Sequence, residues 1–349
     1  MELVGIIVGI VAIVVTICLA LYFGLKRPKG IRELQRDIQK IETQMERVVL
    51  YLDGLPETKD KKKKALFEKG ISLMAEYKYE EAIQSFRECL SLETEGSEKS
   101  ALHNLIGNCF YARSKWDQAL GNWKEALDAA EEANDEGGEV VALRNLGLVH
   151  RDKGEWNKAI ESYNKSFRIK EKLGDEHGMA QTFNDLGLVY ADKGEWEEAI
   201  KFYDKALKGF RKIGDEHGMA ETFDNLGSVY VGKGEWDKMI EFYNKSLKIY
   251  QKIGDEHGMA YTFNNLGVVY KAKGKWDEAI QFHNESLKIL QKIGDKHGMA
   301  VTKAIIGVLY KARGKKEEAR RLLEESLKTL EKIGHRPAAE LFRKHLEDL

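Results

Sequence analysis

The sequence predicts an all-α fold, an α-solenoid in which helical hairpins stack one on the next. Nearly the same forty residues are repeated in tandem, beginning GDEHGMA at Gly174, Gly214 and Gly254 and, in a divergent form, GDKHGMA at Gly294. Self-similarity at one period of roughly 20–50 residues indicates stacked repeat units. Only 3 of the 349 residues are proline, which favours helices. This length exceeds one ordinary globular core, whereas a repeat array can grow to it.

Each copy reads as two helices joined by a short turn. Gly174 suits the end of a helix, where a residue adopts positive φ, and Asp175 suits the N-cap of the next helix. A turn at Gly194 separates this first helix from a second one over 196–213. The first helix carries an apolar stripe at helical spacing, made of Met179, Phe183, Leu186 and Tyr190. Because neither helix can bury its stripe alone, each hairpin is expected to pack on its neighbour.

Small and large residues follow a fixed pattern in each copy, given in one of them by Leu186, Gly187, Tyr190, Ala199, Tyr203 and Ala206. This pattern resembles the tetratricopeptide repeat, and the forty-residue period with its LG and NNL words is similar to the long-helix form of kinesin light chains. The key glycine recurs at Gly70, Gly107, Gly147, Gly187, Gly227, Gly267 and Gly307. The resemblance implies about seven repeats over residues 59–334 in a right-handed superhelix. It also implies that the first helix of each repeat lines a concave groove for an extended peptide.

The first 25 residues are expected to form a transmembrane anchor. Residues 3–25 carry no charge and, as a helix, would reach about 34 Å, enough to span a bilayer core of about 30 Å. The alternative, a cleaved signal peptide, would need a positive start and a small-residue cleavage site, which this stretch lacks. Lys26, Arg27 and Lys29 follow directly, and positive residues stay on the cytoplasmic side. The sequence therefore predicts a single-pass membrane protein whose repeats face the cytoplasm.

Residues 26–58 join the predicted anchor to the repeats and combine basic residues with a heptad pattern. Apolar residues alternate three and four apart over 31–55, the spacing of a coiled coil. Two structures fit this pattern: a stalk that forms a homo-oligomer, or a single amphipathic helix that caps the first repeat or lies on the lipid surface. Pro56 is expected to end the helix. At the other end, residues 335–349 show the amphipathic pattern of a capping helix.

No motif that carries chemistry emerges, so no enzyme, catalytic residue, metal or cofactor is expected. Four histidines recur at the same place in successive copies, at His177, His217, His257 and His297. One repeat apart means about 20 Å apart, whereas ligands that share a metal lie within about 4 Å of one another. Cys18, Cys89 and Cys109 show no metal spacing. A formal net charge of −1 argues against nucleic acid as the partner.

The near-identical copies differ on the stripe of the first helix that is predicted to face the groove. In successive copies this stripe reads Gln181, Asn184, Leu188, Ala191 and Asp192, then Glu221, Asp224, Ser228, Val231 and Gly232, then Tyr261, Asn264, Val268, Lys271 and Ala272. Packing needs repeated residues, whereas a ligand with a non-repeating sequence needs different ones. The variation therefore predicts a binding surface. Drift on an exposed face would give the same pattern and is the alternative.

A more regular polar row stands just before the LG of successive repeats, at Asn145, Asp185, Asn225 and Asn265. The resemblance to kinesin light chains implies that the three asparagines hold the backbone of a bound peptide, while Asp185 departs from the pattern. An amide offers both a donor and an acceptor to a peptide unit. Hydrogen bonding between neighbouring helices is the alternative role of this row.

Charge along the predicted groove changes from arginine to carboxylate to lysine, in the order Arg144, Arg151, Asp192, Glu221, Asp224, Lys271 and Lys311. This order predicts a partner segment with a basic centre. The predicted peptide-binding residues are Asn145, Asn225, Asn265, Asp185, Arg144, Arg151, Asn184, Asp224, Asn264, Tyr261 and Lys271.

These observations predict a membrane-anchored scaffold that binds an extended segment of a partner protein in its concave groove. Two alternatives remain open at this point. The chain could be a structural or assembly factor that acts through its convex surface or through self-association. It could also be a regulator that senses a peptide by changing its superhelical pitch.

Overall fold

The computed structural model describes residues 61–76, 78–92, 96–332 and 336–349, which form fifteen α-helices and no strand. In chain order the helices are α1 (Lys61–Ala75), α2 (Tyr79–Leu90), α3 (Gly96–Ala112), α4 (Trp116–Glu132), α5 (Glu136–Asp152), α6 (Trp156–Leu173), α7 (Glu176–Asp192), α8 (Trp196–Ile213), α9 (Glu216–Lys233), α10 (Trp236–Ile253), α11 (Glu256–Ala272), α12 (Trp276–Ile293), α13 (Lys296–Ala312), α14 (Lys316–Lys332) and α15 (Arg336–Glu347). Successive helices pair as hairpins, in which the odd-numbered helix is the first helix and the even-numbered one the second; α15 follows the last pair. The predicted all-α repeat fold is confirmed.

The chain divides into two compact units. Unit 1 comprises Met1–Gly209 and unit 2 comprises Phe210–Leu349, so that the boundary falls within α8. Each unit contains several complete hairpins built from the same repeated residues.

Local signals in the sequence set the helix boundaries. Helix α6 ends at Gly174, whose φ of 67° lies in the left-handed region that glycine adopts without strain. The side chain of Asp175 then accepts a hydrogen bond from the Gly178 backbone N–H at 2.8 Å, which caps α7. The same cap recurs at Asp135, Asp215, Asp255 and Asp295. The predicted boundary residues are confirmed.

Each hairpin closes on a contact between the key glycine of its first helix and a large residue of its second helix. A Cβ added at Gly187 would lie 2.5 Å from the ring of Tyr203, so only glycine allows the two helices to approach this closely. The same contact joins Gly70 to Phe86, Gly107 to Trp123, Gly147 to Tyr163, Gly227 to Tyr243 and Gly267 to His283. The periodic glycine is therefore a packing requirement of the hairpin.

Helix α15 covers the end of unit 2. Ala339 and Phe342 share a buried apolar cluster with Leu323 and Leu330 of α14. This contact buries apolar surface at the end of the last hairpin.

Exposed charges pair in register along both units. One row links the beginning of a second helix to the turn after the next first helix, as in Asp117–Lys153 at 2.5 Å and Asp237–Lys273 at 2.9 Å. A second row links the end of the second helix to the beginning of the first helix in the same hairpin, as in Lys172–Glu136 and Lys252–Glu216. Such solvent-exposed pairs contribute little to stability.

The prediction of a single-pass membrane protein is wrong on the evidence of these helices. Across the described part of the chain, no helix is both long and apolar enough to cross a bilayer. The longest helices have 18 residues, such as α10, whereas a bilayer crossing needs about 20 mostly apolar residues, and each of these helices carries charges. The predicted anchor at 1–25 and the heptad pattern at 31–55 lie outside the described residues.

Candidate functional site

The polar row of the first helices begins in unit 1 with a bond between two helices. The Asn145 side chain of α5 donates from Nδ2 to Oδ1 of Asn104 on α3, at 3.2 Å. Asn145 is half-buried and Asn104 is buried. For this residue the structure therefore shows the alternative role, hydrogen bonding between neighbouring helices. An amide has further donor and acceptor capacity beyond this one bond.

The next link in unit 1 is an ion pair. Arg144 of α5 donates from Nε to Oδ2 of Asp185 on α7, at 3.0 Å. Asp185 is buried, with 9% of its surface exposed, whereas about half of the Arg144 side chain remains in solvent. Asp185, which departs from the asparagine pattern, therefore has a charge partner in Arg144 of the preceding repeat.

A buried lysine adds to this charged region. Lys170 of α6 is 3% exposed, and its Nζ donates to the Gly178 carbonyl oxygen at 3.2 Å and to Thr182 Oγ1 at 2.9 Å. Burial lowers the pKa of Lys170, and the nearby Asp185 carboxylate opposes that shift. The sequence reasoning did not single out Lys170. The signal that could have found it is register, since the equivalent positions hold Phe210, Tyr250, Leu290 and Leu330.

A second ionic group in unit 1 surrounds Arg151. Its guanidinium lies 3.0 Å from Asp152 and 3.4 Å from Asp192, on the following first helix. The Tyr111 hydroxyl donates to Asp152, and burial together with this bond raises the pKa of Tyr111 to about 12. The charges of Arg151, Asp152 and Asp192 are therefore satisfied within the protein.

In unit 2 the corresponding link through Asn264 is neutral. Asn264 of α11 donates from Nδ2 to Thr302 Oγ1 on α13, at 3.0 Å, and its Oδ1 lies 2.9 Å from Nδ1 of His283. His283 is fully buried, and burial lowers its pKa to about 4, so the ring is neutral at physiological pH. Asn264 was predicted to face a ligand, yet its amide is committed to these two bonds.

Asp224 was predicted to lie on the exposed stripe, and this is wrong. It is 3% exposed, because its position on α9 faces the next first helix, and its two carboxyl oxygens lie 3.0 and 3.1 Å from Thr262 Oγ1 on α11. Burial raises the pKa of Asp224 to about 7.

Hydroxyl groups lie around the Asp224 carboxyl group, and Thr262 is one of them. Thr262 Oγ1 lies 2.9 Å from the Gly258 carbonyl oxygen one turn earlier, and Thr222 makes the same bond at 2.7 Å. A hydroxyl has one hydrogen to give, and a carbonyl can only accept it. Thr262 can give this hydrogen either to the Gly258 carbonyl oxygen or to the Asp224 carboxyl group. Hydrogen bonds with Ser246, Thr262 and Tyr250 lower the pKa of Asp224 and so oppose the effect of burial.

The remaining predicted residues differ in their exposure to solvent and in their hydrogen-bond and ion-pair partners. Asn184 and Asn225 are half-buried. Asn265 has a buried Nδ2 atom without a hydrogen-bond partner among the residues that the structure describes. Tyr261 is 59% exposed, and Lys271, also exposed, has no ion pair within the described ranges.

The expected basic-centred partner loses its support in this geometry. Of the three central carboxylates, Asp192 lies beside Arg151, and Asp224 is buried with its pKa raised by burial to about 7. Glu221 lies 3.7 Å from His217. The negative charge that such a partner would meet is largely neutralised within the protein.

One of the periodic histidines contacts a helix cap. His217 Nε2 lies 3.1 Å from Oδ2 of Asp255, the residue that caps α11. Burial acts to raise the pKa of Asp255, but the hydrogen bonds from His217 and the Gly258 backbone lower it below the ordinary value. Among the residues with described positions, no group of three or more His, Cys, Asp or Glu could hold a metal ion.

The repeated hairpins and their glycine contacts define an α-helical repeat protein. A sequence model of the tetratricopeptide repeat matches residues 98–172, 178–252 and 258–332, and a second model of the same repeat matches residues 63–95. The chain belongs to the tetratricopeptide repeat family. A search of curated proteins finds no match.

Several solved structures share the fold. A Rap protein complexed with competence and sporulation factor is 15% identical, with 96% of each chain covered and a TM-score of 0.57. The apo quorum sensor NprR from B. thuringiensis is 14% identical, with 90% of this chain and 94% of that chain covered and a TM-score of 0.55. BtubC from P. vanneervenii is 22% identical, with 61% and 90% covered and a TM-score of 0.52. At these identities the likeness concerns the fold alone.

Proposed function

We propose that this tetratricopeptide repeat protein is an interaction scaffold that binds an extended segment of a partner protein on its first helices, in the predicted concave groove. One observation carries the proposal. Copies that repeat their packing residues differ at exposed positions of the first helix, where Glu221 and Ser228 of α9 are replaced by Tyr261 and Val268 of α11. Tyrosine is enriched in protein–protein interfaces, and exposed apolar residues that lie together on one helix face mark an interaction site.

Neighbours of similar fold support a role in binding. One of them is a Rap protein complexed with competence and sporulation factor, and another is the quorum sensor NprR. A partner-binding role for the present chain agrees with these descriptions. The proposal includes no catalytic role.

The proposed backbone contacts are the amides of Asn145, Asn225 and Asn265. Asn145 would share its amide between Asn104 and the partner, which its donor and acceptor capacity permits. Each hydrogen bond contributes about 1 kcal/mol net, so several of them with side-chain pockets can reach micromolar affinity, or about −8 kcal/mol.

The test is a crosslinked pull-down from the native host with mass spectrometry as readout. It compares the unchanged chain with a variant in which Asn145, Asn225 and Asn265 are all replaced by alanine. We expect a prey protein with the first and a loss of that prey with the second. Circular dichroism must show unchanged helix content in the variant, so that loss of binding is not loss of fold.

A matched control replaces three exposed asparagines of second helices by alanine, namely Asn157, Asn164 and Asn244. This control should retain the prey. The same prey with the groove variant would contradict the proposal and would transfer the function to the convex face.

A further inference from the structure

Two first helices of unit 2 carry the same kind of stripe one repeat apart. On α11 it consists of Tyr261, Asn265, Val268 and Lys271, and on α13 of Val301, Ile305, Val308 and Lys311. Each pair of equivalent residues is separated by 40 positions in the sequence. The two stripes differ in how much of each is covered by other residues of the chain.

On α13 the end of the chain completes the stripe. Val301, Ile305 and Val308 are partly buried against the same apolar cluster as Leu346 and Leu349. The lysine is satisfied as well, since Lys311 Nζ donates to the His345 carbonyl oxygen at 2.9 Å and lies 3.5 Å from the Asp348 carboxylate. An apolar surface and its lysine are thus covered by a segment that supplies leucines and a carboxylate.

On α11 neither requirement is met. Tyr261 is 59% exposed and Val268 is 48% exposed, although both are large and apolar. Lys271 is exposed and makes no ion pair with any residue in the described ranges. Lys311, by contrast, is held by α15 and by the residues that follow it. The exposed stripe therefore combines apolar area with an unmatched positive charge.

We propose that the stripe of Tyr261, Val268 and Lys271, named here the α11 stripe, is completed by a partner segment that carries a large apolar side chain and an acidic side chain. The inference rests on the proposed function and names the chemistry of its ligand. Charge complementarity selects the acid, because Lys271 has no carboxylate of its own. The exposed ring and valine select the apolar residue.

The spacing of the stripe sets the spacing in the ligand. Val268 and Lys271 are separated by about 4.5 Å along the helix axis, and an extended chain advances about 3.3 Å per residue. The acid and the apolar anchor are therefore expected one or two residues apart. Asn265 lies between Tyr261 and Val268 on the same helix. Its Nδ2 atom is buried, so a contact with the peptide backbone of the ligand would use its Oδ1 atom as an acceptor.

The test is selection of a phage-displayed library of random twelve-residue peptides on the whole 349-residue chain. We expect enriched peptides to pair an aromatic or aliphatic residue with Asp or Glu. Their affinity should fall at least tenfold for the Tyr261→Ser, Val268→Ser double variant and for Lys271→Glu. Replacing the acid of a selected peptide by lysine should restore binding to Lys271→Glu. The matched control is Lys248→Glu, an exposed lysine of α10, which should bind as the unchanged chain does.

The outcomes separate the two proposals. Selected peptides that depend on Asn225 and Asn265 but bind the α11 stripe variants normally would overturn this inference and leave the proposed function intact. A library that yields no enriched peptide would count against both. A synthetic peptide of residues 336–349 forms the last arm. If it binds and Lys271→Glu abolishes that binding, the occupant is a second copy of this chain, and the inference of a foreign partner is wrong.

Discussion

The two units link their successive first helices by different chemistry. In unit 1 two of the links are charged, with Arg144 bound to Asp185 and Arg151 close to Asp192, while the Asn145–Asn104 bond is neutral. Lys170 is buried in the same unit. In unit 2 the corresponding link between Asn264 and Thr302 is neutral, and His217 lies 3.1 Å from the carboxylate of Asp255. Close contacts between a glycine and a ring hold hairpins together in both units, as in Gly187–Tyr203 and Gly227–Tyr243, whereas Gly307 in the last hairpin meets Leu323. Packing within a hairpin is therefore fixed by shape, while the polar link between hairpins tolerates several solutions.

This difference has a consequence for binding. The arginines of unit 1 and their carboxylates satisfy one another, so a ligand that used them would first have to break ion pairs. Unit 2 leaves an apolar and positively charged stripe around Tyr261 and Lys271 without an internal partner. We therefore expect unit 2 to supply more of the partner specificity than unit 1 does.

The first prediction tests the feature that the units share. Gly187→Ala in unit 1 and Gly227→Ala in unit 2 would place a Cβ 2.5 and 2.7 Å from the rings of Tyr203 and Tyr243. Because the ring and the helix backbone cannot both stay in place, each substitution should lower the free energy of unfolding by about 3 kcal/mol, measured by urea denaturation. Gly121→Ala is the control, since nothing lies within 4 Å of its added Cβ, and helix propensity should raise stability slightly. Tolerance of the substitution in one unit only would show that the hairpins are packed differently.

The next prediction concerns the pH dependence of stability that the buried Asp224 gives to unit 2. Asp224→Asn gives α9 the amide that the equivalent positions of the neighbouring repeats have in Asn184 and Asn264. The folded pKa of about 7 exceeds the unfolded value of about 3.9, so the folded state holds the proton more tightly. The stability of the unchanged chain therefore falls as pH rises from about 4 to about 7, and the full cost is present above that range.

Above pH 7, Asp224→Asn should raise the free energy of unfolding by about 4 kcal/mol, and the gain should disappear near pH 4. Urea denaturation at pH 5, 7 and 8 measures the effect. Asp237→Asn serves as the control, because this aspartate is 95% exposed and its replacement should not change the pH profile. Equal pH profiles for Asp224→Asn and the unchanged chain would mean that Asp224 is ionised in the folded state.

Much of the fold was predictable because the residues that shape and pack each hairpin recur from copy to copy. Gly174 and Asp175 carry the local signals of a helix end and a helix start, and both act as expected. The glycine of each hairpin could be recognised from its regular spacing in the sequence. The sequence did not show that Tyr203 fills the space beside Gly187. Such contacts within a repeat depend on residues that every copy retains.

The candidate site was less predictable, because its residues lie where one repeat meets the next. Helical spacing placed Asp224 on an open stripe, but the adjacent first helix covers this residue through Thr262. Asn145 could bind a peptide or a neighbouring helix with the same amide, and only the position of Asn104 decides what it contacts. Lys170 is invisible to a pattern search that expects an apolar residue in its place.

The smallest expected effect concerns Lys170. It tests whether the ionic links of unit 1 stabilise that unit. Lys170→Met places a side chain of similar length where the other copies carry apolar residues. The substitution removes the cost of burying the ammonium group but also removes the hydrogen bond to Thr182. Replacing a buried charge by an apolar residue is commonly neutral or stabilising, so we expect the free energy of unfolding to rise by about 1 kcal/mol at pH 7.

The pH dependence identifies the cause of this last effect. Burial lowers the folded pKa of Lys170 below its unfolded value of about 10.4, so the unfolded state binds the proton more tightly, and stability rises with pH between the two values. The gain from Lys170→Met should therefore shrink as the pH approaches 10, whereas Lys208→Met, at an exposed position of α8, should show no such trend. A loss of stability in Lys170→Met would mean that the bond to Thr182 and the attraction of Asp185 outweigh the cost of burial. In that case the charged links of unit 1 would contribute to its stability rather than being tolerated by its packing.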